Sequence, residues 1–244
     1  MDITDLIKFY SSPLGKTVQK KLTNLIMEFW PAIKCETLVC HGFPTPVLDG
    51  LHHDAQRLIV FMDPHIGATN YFFDGKNITA LVENQHLPLN NESTDRIILL
   101  HSLEHCENPR GFLREIWRVL SPEGRAIIMT PNRRSLWAQL SHTPFGHGHS
   151  YSMGQLSCIL KESQFEICQK KRGLFIMPSE FWNSAVAAHL VETFNKTFTQ
   201  KLSGIVAIEI KKQVYCGTLA KVRKRLVITP SPIRAKLSSR EGLG

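Results

Sequence analysis

The chain has 244 residues, of which 43% are hydrophobic and 20% are charged. This length and composition fit one globular domain, with at most an appendage, and suffice to bury a hydrophobic core. No stretch approaches the roughly 20 apolar residues that span a bilayer. The opening residues, MDITDLIKFY, differ from a secretory leader, so a cytoplasmic protein is expected.

The net charge of +8 is concentrated in the C-terminal part of the chain. Residues 211–244 hold nine Lys and Arg against one acidic residue, whereas residues 1–210 hold 20 of each sign. A basic tail can contact nucleic acid or anionic lipid, but the run VRKRL has no interleaved aromatic side chains. We therefore interpret residues 219–244 as a solvated, flexible tail and keep nucleic-acid binding as the minor alternative.

Six cysteines are scattered along the chain without a CxxC pair or a dense framework. Several lie within apolar runs, where cysteine behaves as a small hydrophobic residue. We expect reduced thiols in a reducing compartment.

Helical and strand patterns follow one another along the chain. Apolar residues recur at helical spacing from Leu14 to Phe29, and Pro31 ends the pattern, so residues 1–34 are predicted as an N-terminal helical cap. Apolar runs predict strands at 37–40, 57–62, 78–82, 95–100, 125–129, 165–168 and 205–210. Further helices are predicted at 109–120, 152–163 and 180–202.

This alternation favours an α/β domain at residues 35–218, with a Rossmann-like, doubly wound, mostly parallel sheet. Residues 121–124 are predicted as the turn into the fifth strand. Residues 43–77 are the least regular part, with room for a short helix after the first strand and no clear helix after the second.

Residues 101–106 read HSLEHC, which contains the H-x-x-E-H signature of a zinc protease. That chemistry needs both histidines on one face of a continuous helix. Here His101 ends a predicted strand and Pro109 begins the next helix, so we predict no metal site. Ligands of open α/β sheets bind at the carboxyl ends of strands, which makes His101 and Glu104 candidate pocket residues. His105 is interpreted as packing the turn.

The segment LPLNNESTDRIILLHSLEHCENPRGFLREIWRVLSPEGRAIIMTPN resembles the central part of class I S-adenosylmethionine-dependent methyltransferases of the type 11 domain family. The matching positions are Leu87-Pro88, Asp95, Leu103-Glu104-His105, Pro109, Arg114-Glu115-Ile116, Arg118-Val119-Leu120 and Pro122-Glu123-Gly124. The resemblance covers about residues 80–167. It implies the seven-stranded sheet of class I methyltransferases, S-adenosylmethionine as cofactor, and a methyl acceptor as partner.

The resemblance also implies where the cofactor binds. Asp63 ends the second strand, where an acidic residue would hold the ribose hydroxyls. Glu83 ends the third strand, facing the adenine amino group, and Asn84 would offer its backbone N–H. Either acid can alternatively be an ordinary loop carboxylate.

The loop after the first strand differs from the family pattern of an acid followed by G-x-G-x-G. Gly42 is the first glycine, preceded by Cys40 in the acidic position and by His41, and these three are candidate cofactor contacts. Pro44 and Pro46 occupy the other glycine positions, and proline removes an N–H donor.

Residues 131–152 form a long loop at the same edge of the sheet and are predicted as a substrate-side loop. The candidate substrate contacts are Arg133, Arg134, Trp137 and His147. Arginine suits an anionic substrate group. The alternative is an ordered loop packed by Trp137 and Phe145 that covers the edge of the sheet.

The leading functional prediction is a methyltransferase that uses in-line displacement on an unidentified acceptor. His101 is the candidate catalytic base, because histidine titrates near neutrality. The alternative is a methyltransferase-fold protein that has lost its cofactor and acts as a binding or regulatory module.

Overall fold

The computed structural model describes residues 1–175 and 203–213. The predicted helix at 180–202 and the basic tail at 219–244 lie outside the described residues. The five cysteines within the described part are free thiols, as predicted. None of the described helices combines the length and the hydrophobicity that a membrane span requires.

Strands of the described part form one large sheet and one small hairpin. They are β1 (Ile33–Gly42), β2 (His53–Met62), β3 (Phe72–Phe73), β4 (Lys76–Asn77), β5 (Thr79–Leu81), β6 (Thr94–Leu100), β7 (Leu120–Pro131), β8 (Phe165–Gly173) and β9 (Ile205–Lys212). The seven-stranded sheet has the order β5-β2-β1-β6-β7-β9-β8, and β3 pairs with β4 separately. β9 is antiparallel to both of its neighbours, whereas the other pairs of the sheet are parallel. The predicted Rossmann-like, mostly parallel fold is confirmed.

Helices cover both faces of this sheet. They are α1 (Ile3–Ser11), α2 (Pro13–Phe29), α3 (Thr45–Leu48), α4 (Pro109–Val119) and α5 (Met153–Glu162). Asn108 caps α4 by accepting a hydrogen bond from the backbone N–H of Gly111, and Pro109 occupies the first turn. The helix α1 lies within the predicted helical cap at 1–34, but the apolar pattern predicted only the helix from Leu14 to Phe29. The helix α1 begins at a capping box in which Asp2 and Asp5 each accept from the other's backbone N–H.

Neighbouring residues of the central strands face opposite sides of the sheet. In β1, Cys40 packs into the core beneath α1 and α2, whereas Val39 packs into the core beneath α4 and α5. In β6, Ile98 packs into the core beneath α1 and α2, and Ile97 packs into the core beneath α4 and α5. Because both faces are buried, the strands read as continuous apolar runs in the sequence.

Two local predictions are wrong or incomplete. Residues 121–124, predicted as a turn, lie within β7, which begins at Leu120, but they form a bulge that pairs with neither neighbouring strand. A register shift between Thr94 and Arg96 lets Leu120 pair with Thr94 while its side chain stays fully buried. After β2 the chain forms the β3–β4 hairpin, which the irregular segment 43–77 did not reveal.

Candidate functional site

The carboxyl ends of β1 and β6 meet at the switch point of the sheet, since β2 lies on one side of β1 and β6 on the other. Gly42 ends β1 with a φ of +97°. A Cβ atom at this position would overlap the carbonyl oxygens of Leu100 and His101. The next residue, Phe43, donates its backbone N–H to the Leu100 carbonyl at 2.7 Å. Glycine is therefore required at position 42 by backbone packing alone.

Cys40 and His41 are buried inside the protein. Burial raises the pKa of the Cys40 thiol far above its ordinary value. His41 is 1% exposed, and its Nδ1 lies 2.8 Å from the hydroxyl of Ser102. Burial lowers the pKa of His41 to about 4, although the charge of Asp63 acts in the opposite direction. Cys40 therefore packs in the core beneath α1 and α2, and His41 contacts Ser102 in the turn after β6.

A cavity of about 300 Å³ opens beside the ends of β2 and β5. It is lined by Asp63, His65, Glu83, Asn84, Gln85, His105, Cys106, Glu107 and Asn108. One oxygen of Asp63 accepts from the His65 backbone N–H at 2.8 Å and lies 2.9 Å from His65 Nδ1. Its other oxygen accepts from Asn84 Nδ2 at 2.5 Å. The cavity thus presents a carboxylate held in a fixed orientation.

The charge of this carboxylate follows from its partners. Burial raises the pKa of Asp63, but the hydrogen bonds from His65 and Asn84 outweigh burial and leave the pKa below its ordinary value. The same contact raises the pKa of His65. Asp63 is consequently ionised at neutral pH.

Two further polar residues of the cavity, Glu83 and Asn84, follow β5. The side chain of Glu83 is 76% exposed and lies 3.9 Å from Nδ1 of His86. Oδ1 of Asn84 is buried and makes no hydrogen bond within the described residues. The structure therefore brings together three of the predicted cofactor residues, Asp63, Glu83 and Asn84.

His101 lies beneath a layer of aromatic rings at the carboxyl end of β6. It is 1% exposed, and its Nε2 shares a hydrogen bond of 2.7 Å with the hydroxyl of Tyr10 from α1. The Phe145 ring lies 5.2 Å from the His101 ring, and Tyr10 also lies against Phe43 at 5.9 Å. The His101 backbone has a φ of +51°, a left-handed conformation that non-glycine residues seldom adopt. These contacts fix the imidazole and shield it from solvent.

The predicted substrate residues are not brought together. Trp137 is buried and packs edge to face on Phe145 at 5.3 Å, as the packed-loop alternative describes. Arg133 is exposed, and Arg134 lines a separate small cavity of about 180 Å³. His147 lines a third cavity of about 740 Å³ between the first helices and residues 141–147.

Sequence reasoning missed the roles of Tyr10 and His65. The spacing of Leu6 and Tyr10 behind the capping box of Asp2 was a signal for α1, and both residues are buried. Nothing in the sequence signals that Tyr10 meets His101, 91 residues away. The proximity of His65 to Asp63 was visible, but not the turn that directs the imidazole back to the carboxylate.

Comparison with known proteins agrees with this architecture. Residues 67–128 match the family model described as a methyltransferase domain. No curated protein matches the sequence. A chain from the Haloferax volcanii complex that contains the Trm112 methyltransferase activator is 14% identical, with a TM-score of 0.61 over 88% of this chain and 99% of that one. A SAM-dependent methyltransferase from Archaeoglobus fulgidus is 17% identical, with a TM-score of 0.58 over 86% and 100%.

The [4+2]-cyclase SpnF has the same fold, at 16% identity and a TM-score of 0.56 over 83% of each chain. The fold alone therefore does not define the reaction. The domain match and the sheet together confirm the resemblance to the class I S-adenosylmethionine-dependent methyltransferases. They support an enzyme of that class, as the sequence favoured.

Proposed function

We propose that this protein is an S-adenosylmethionine-dependent methyltransferase. The observation that carries the proposal is the Asp63–Asn84 pair, which lines a cavity at the carboxyl ends of β2 and β5. The matched segment at 67–128 contains Asn84 and one wall of the cavity, and it begins after Gly42 and Asp63.

The polar atoms of the cavity fit the nucleoside part of the cofactor. The two oxygens of Asp63 have about four lone pairs, of which His65 and Asn84 use three, so Asp63 can accept from one ribose hydroxyl without losing these partners. The unpartnered Oδ1 of Asn84 is an acceptor for the adenine amino group or for a hydroxyl. Glu83 adds a second carboxylate at the rim of the cavity.

Bound S-adenosylmethionine supplies a methyl group on a sulfonium, which an acceptor displaces in line. The chain's task is then to orient the two reactants and to exclude water. His101 as the base for the acceptor stays a prediction, and its imidazole is held by Tyr10 and shielded by Phe145. The identity of the acceptor is not part of the proposal.

A second candidate function is a binding or regulatory module without the cofactor. Its support is the end of β1, where the resemblance implies that the methionine part would lie. Cys40 and Phe43 are buried there, and Tyr10 packs over Phe43. The two candidates make opposite predictions for ligand binding.

Calorimetric titration of the full chain with S-adenosylmethionine and S-adenosylhomocysteine tests the proposal. We expect micromolar affinity, about −8 kcal/mol. Asp63→Asn removes the charge that accepts the ribose hydroxyls, and Asn84→Ala removes both the acceptor and the Asp63 partner. Each variant should weaken binding by about tenfold to a hundredfold.

Asp74→Asn is the matched control, because it removes a carboxylate from the exposed β3–β4 turn and should leave affinity unchanged. Adenosine alone should also bind, since the cavity fits the nucleoside. Absence of heat with all three ligands at millimolar concentration would refute the enzyme proposal and favour the binding module.

A further inference from the structure

Three side chains with metal-binding atoms converge at the turn after β6. His101, Glu104 and His105 each offer one ligand atom, and these atoms all lie within 4.8 Å of one another. The left-handed backbone of His101 and the 3-10 turn Leu103–His105 direct them inward. A continuous helix is therefore not needed to bring the two histidines of H-x-x-E-H together.

His101 and Glu104, the two buried residues of this cluster, each use one polar atom for a hydrogen bond to a neighbouring group. Nε2 of His101 is held by the Tyr10 hydroxyl at 2.7 Å. One oxygen of Glu104 accepts from the Ser102 backbone N–H at 3.1 Å. Outer hydrogen bonds of this kind orient histidine and carboxylate ligands in metal sites.

One nitrogen of each histidine in the cluster is buried without a hydrogen-bond partner among the described residues. Nδ1 of His101 lies at an ion-pair distance of 3.3 Å from Oε1 of Glu104, but the contact falls short of good hydrogen-bond geometry. Nε2 of His105 is also buried without a partner among the described residues. A simple His101–Glu104 ion pair leaves the His105 nitrogen unexplained, and a buried unpaired polar atom is costly.

The spacing suits a tetrahedral transition-metal ion. Two ligands at the usual zinc distances of about 2.0–2.1 Å are themselves about 3.3–3.4 Å apart in a tetrahedral site. The His101–Glu104 separation of 3.3 Å already has this value. The other separations are at most 4.8 Å, so His105 would move inward by up to about 1.5 Å on binding.

We propose that His101, Glu104 and His105 form a mononuclear zinc site, in which His101 is a metal ligand and not the base for the acceptor. Two histidines and one glutamate are a donor set typical of zinc, and they leave a fourth position for water or another small ligand. His105 also lines the 300 Å³ cavity, which gives the ion a route from solvent. The proposal rests on these side chains and not on the proposed function, although His105 also borders the cavity proposed for the nucleoside.

Metal titration of the full chain tests the proposal. After dialysis against a chelator, Zn²⁺ is added in a calorimeter, and Co²⁺ is added in parallel while its visible absorption is recorded. We expect one equivalent of each ion to bind, with the intense visible bands of four-coordinate Co²⁺. Glu104→Gln and His105→Gln should each weaken Zn²⁺ binding by about 100-fold or more, because even outer-shell changes cost 10–100-fold.

His52→Gln is the control, since it removes an exposed histidine outside the cluster and should leave stoichiometry and affinity intact. If Glu104→Gln does not fold, Zn²⁺ binding by His105→Gln is the deciding measurement, because His105 is less buried than Glu104. The Co²⁺ spectrum of the unaltered protein tests the site without any substitution. Absence of one-equivalent binding, an octahedral Co²⁺ spectrum, or binding that survives His105→Gln unchanged would each overturn the proposal.

Discussion

Gly42→Ala should lower the free energy of unfolding by about 2–5 kcal/mol. The left-handed backbone conformation costs about 1–2 kcal/mol for a residue with a Cβ, and overpacking adds about 1–3 kcal/mol. The overlap is with the carbonyl oxygens of Leu100 and His101, which are backbone atoms of a buried strand end and cannot rotate away. Urea denaturation of the purified variant measures the loss.

Gly154→Ala is the matched control for this substitution. Gly154 lies in the first turn of α5, and no atom lies within 4 Å of the position that its Cβ would occupy. Alanine there should be neutral or stabilise by up to about 1 kcal/mol, because it is the better helix former. If Gly42→Ala proved as stable as the unaltered protein but lost S-adenosylmethionine affinity, the glycine would serve the cofactor and not the packing of β1 on β6.

The fold was predictable because its signals are local and repeated. The runs at 95–100 and 125–129 and the capped helix between them form one βαβ unit, whose geometry leaves little choice. The first helix, α1, was not predicted as a separate helix within the cap at 1–34, because it has only nine residues and few apolar positions. Its stability comes from packing on the core, which no local pattern reports.

The candidate site was predictable only in part. Asp63, Glu83 and Asn84 follow strands, so parallel topology places them at one edge of the sheet. Cys40 and His41 stand next to the same edge, yet the direction of each side chain depends on the strand's pleat and on which face is covered. The burial of His101 depends on Tyr10 and Phe145, which come from distant parts of the chain.

The geometry of the H-x-x-E-H stretch was also only partly predictable from the sequence. The sequence correctly indicated that His101 ends a strand. The prediction of no metal site assumed that only a continuous helix brings both histidines together. The left-handed conformation at His101 removes that assumption. Histidine is enriched in this conformation among non-glycine residues, but the sequence does not show which histidine adopts it.

Between pH 7 and pH 4, His41 should account for about 3 kcal/mol of lost stability. Its pKa is lowered to about 4 in the folded protein by burial, against about 6.5 in the unfolded chain. In this window the unfolded chain binds a proton that the folded protein does not, so stability falls as the pH falls. The difference of about 2.5 pKa units corresponds to about 3 kcal/mol.

Denaturation curves of His41→Asn at several pH values isolate this contribution. Asparagine can keep the hydrogen bond to Ser102 but cannot titrate, so the variant loses ring packing on Phe112 at every pH and should show a flatter profile. Burial also lowers the pKa of His105, so part of the slope should persist in the variant. His52→Asn removes an exposed histidine and should leave the profile unchanged. If His41→Asn kept the full slope, the imidazole would already be charged in the folded protein, which its burial beside Phe112 argues against.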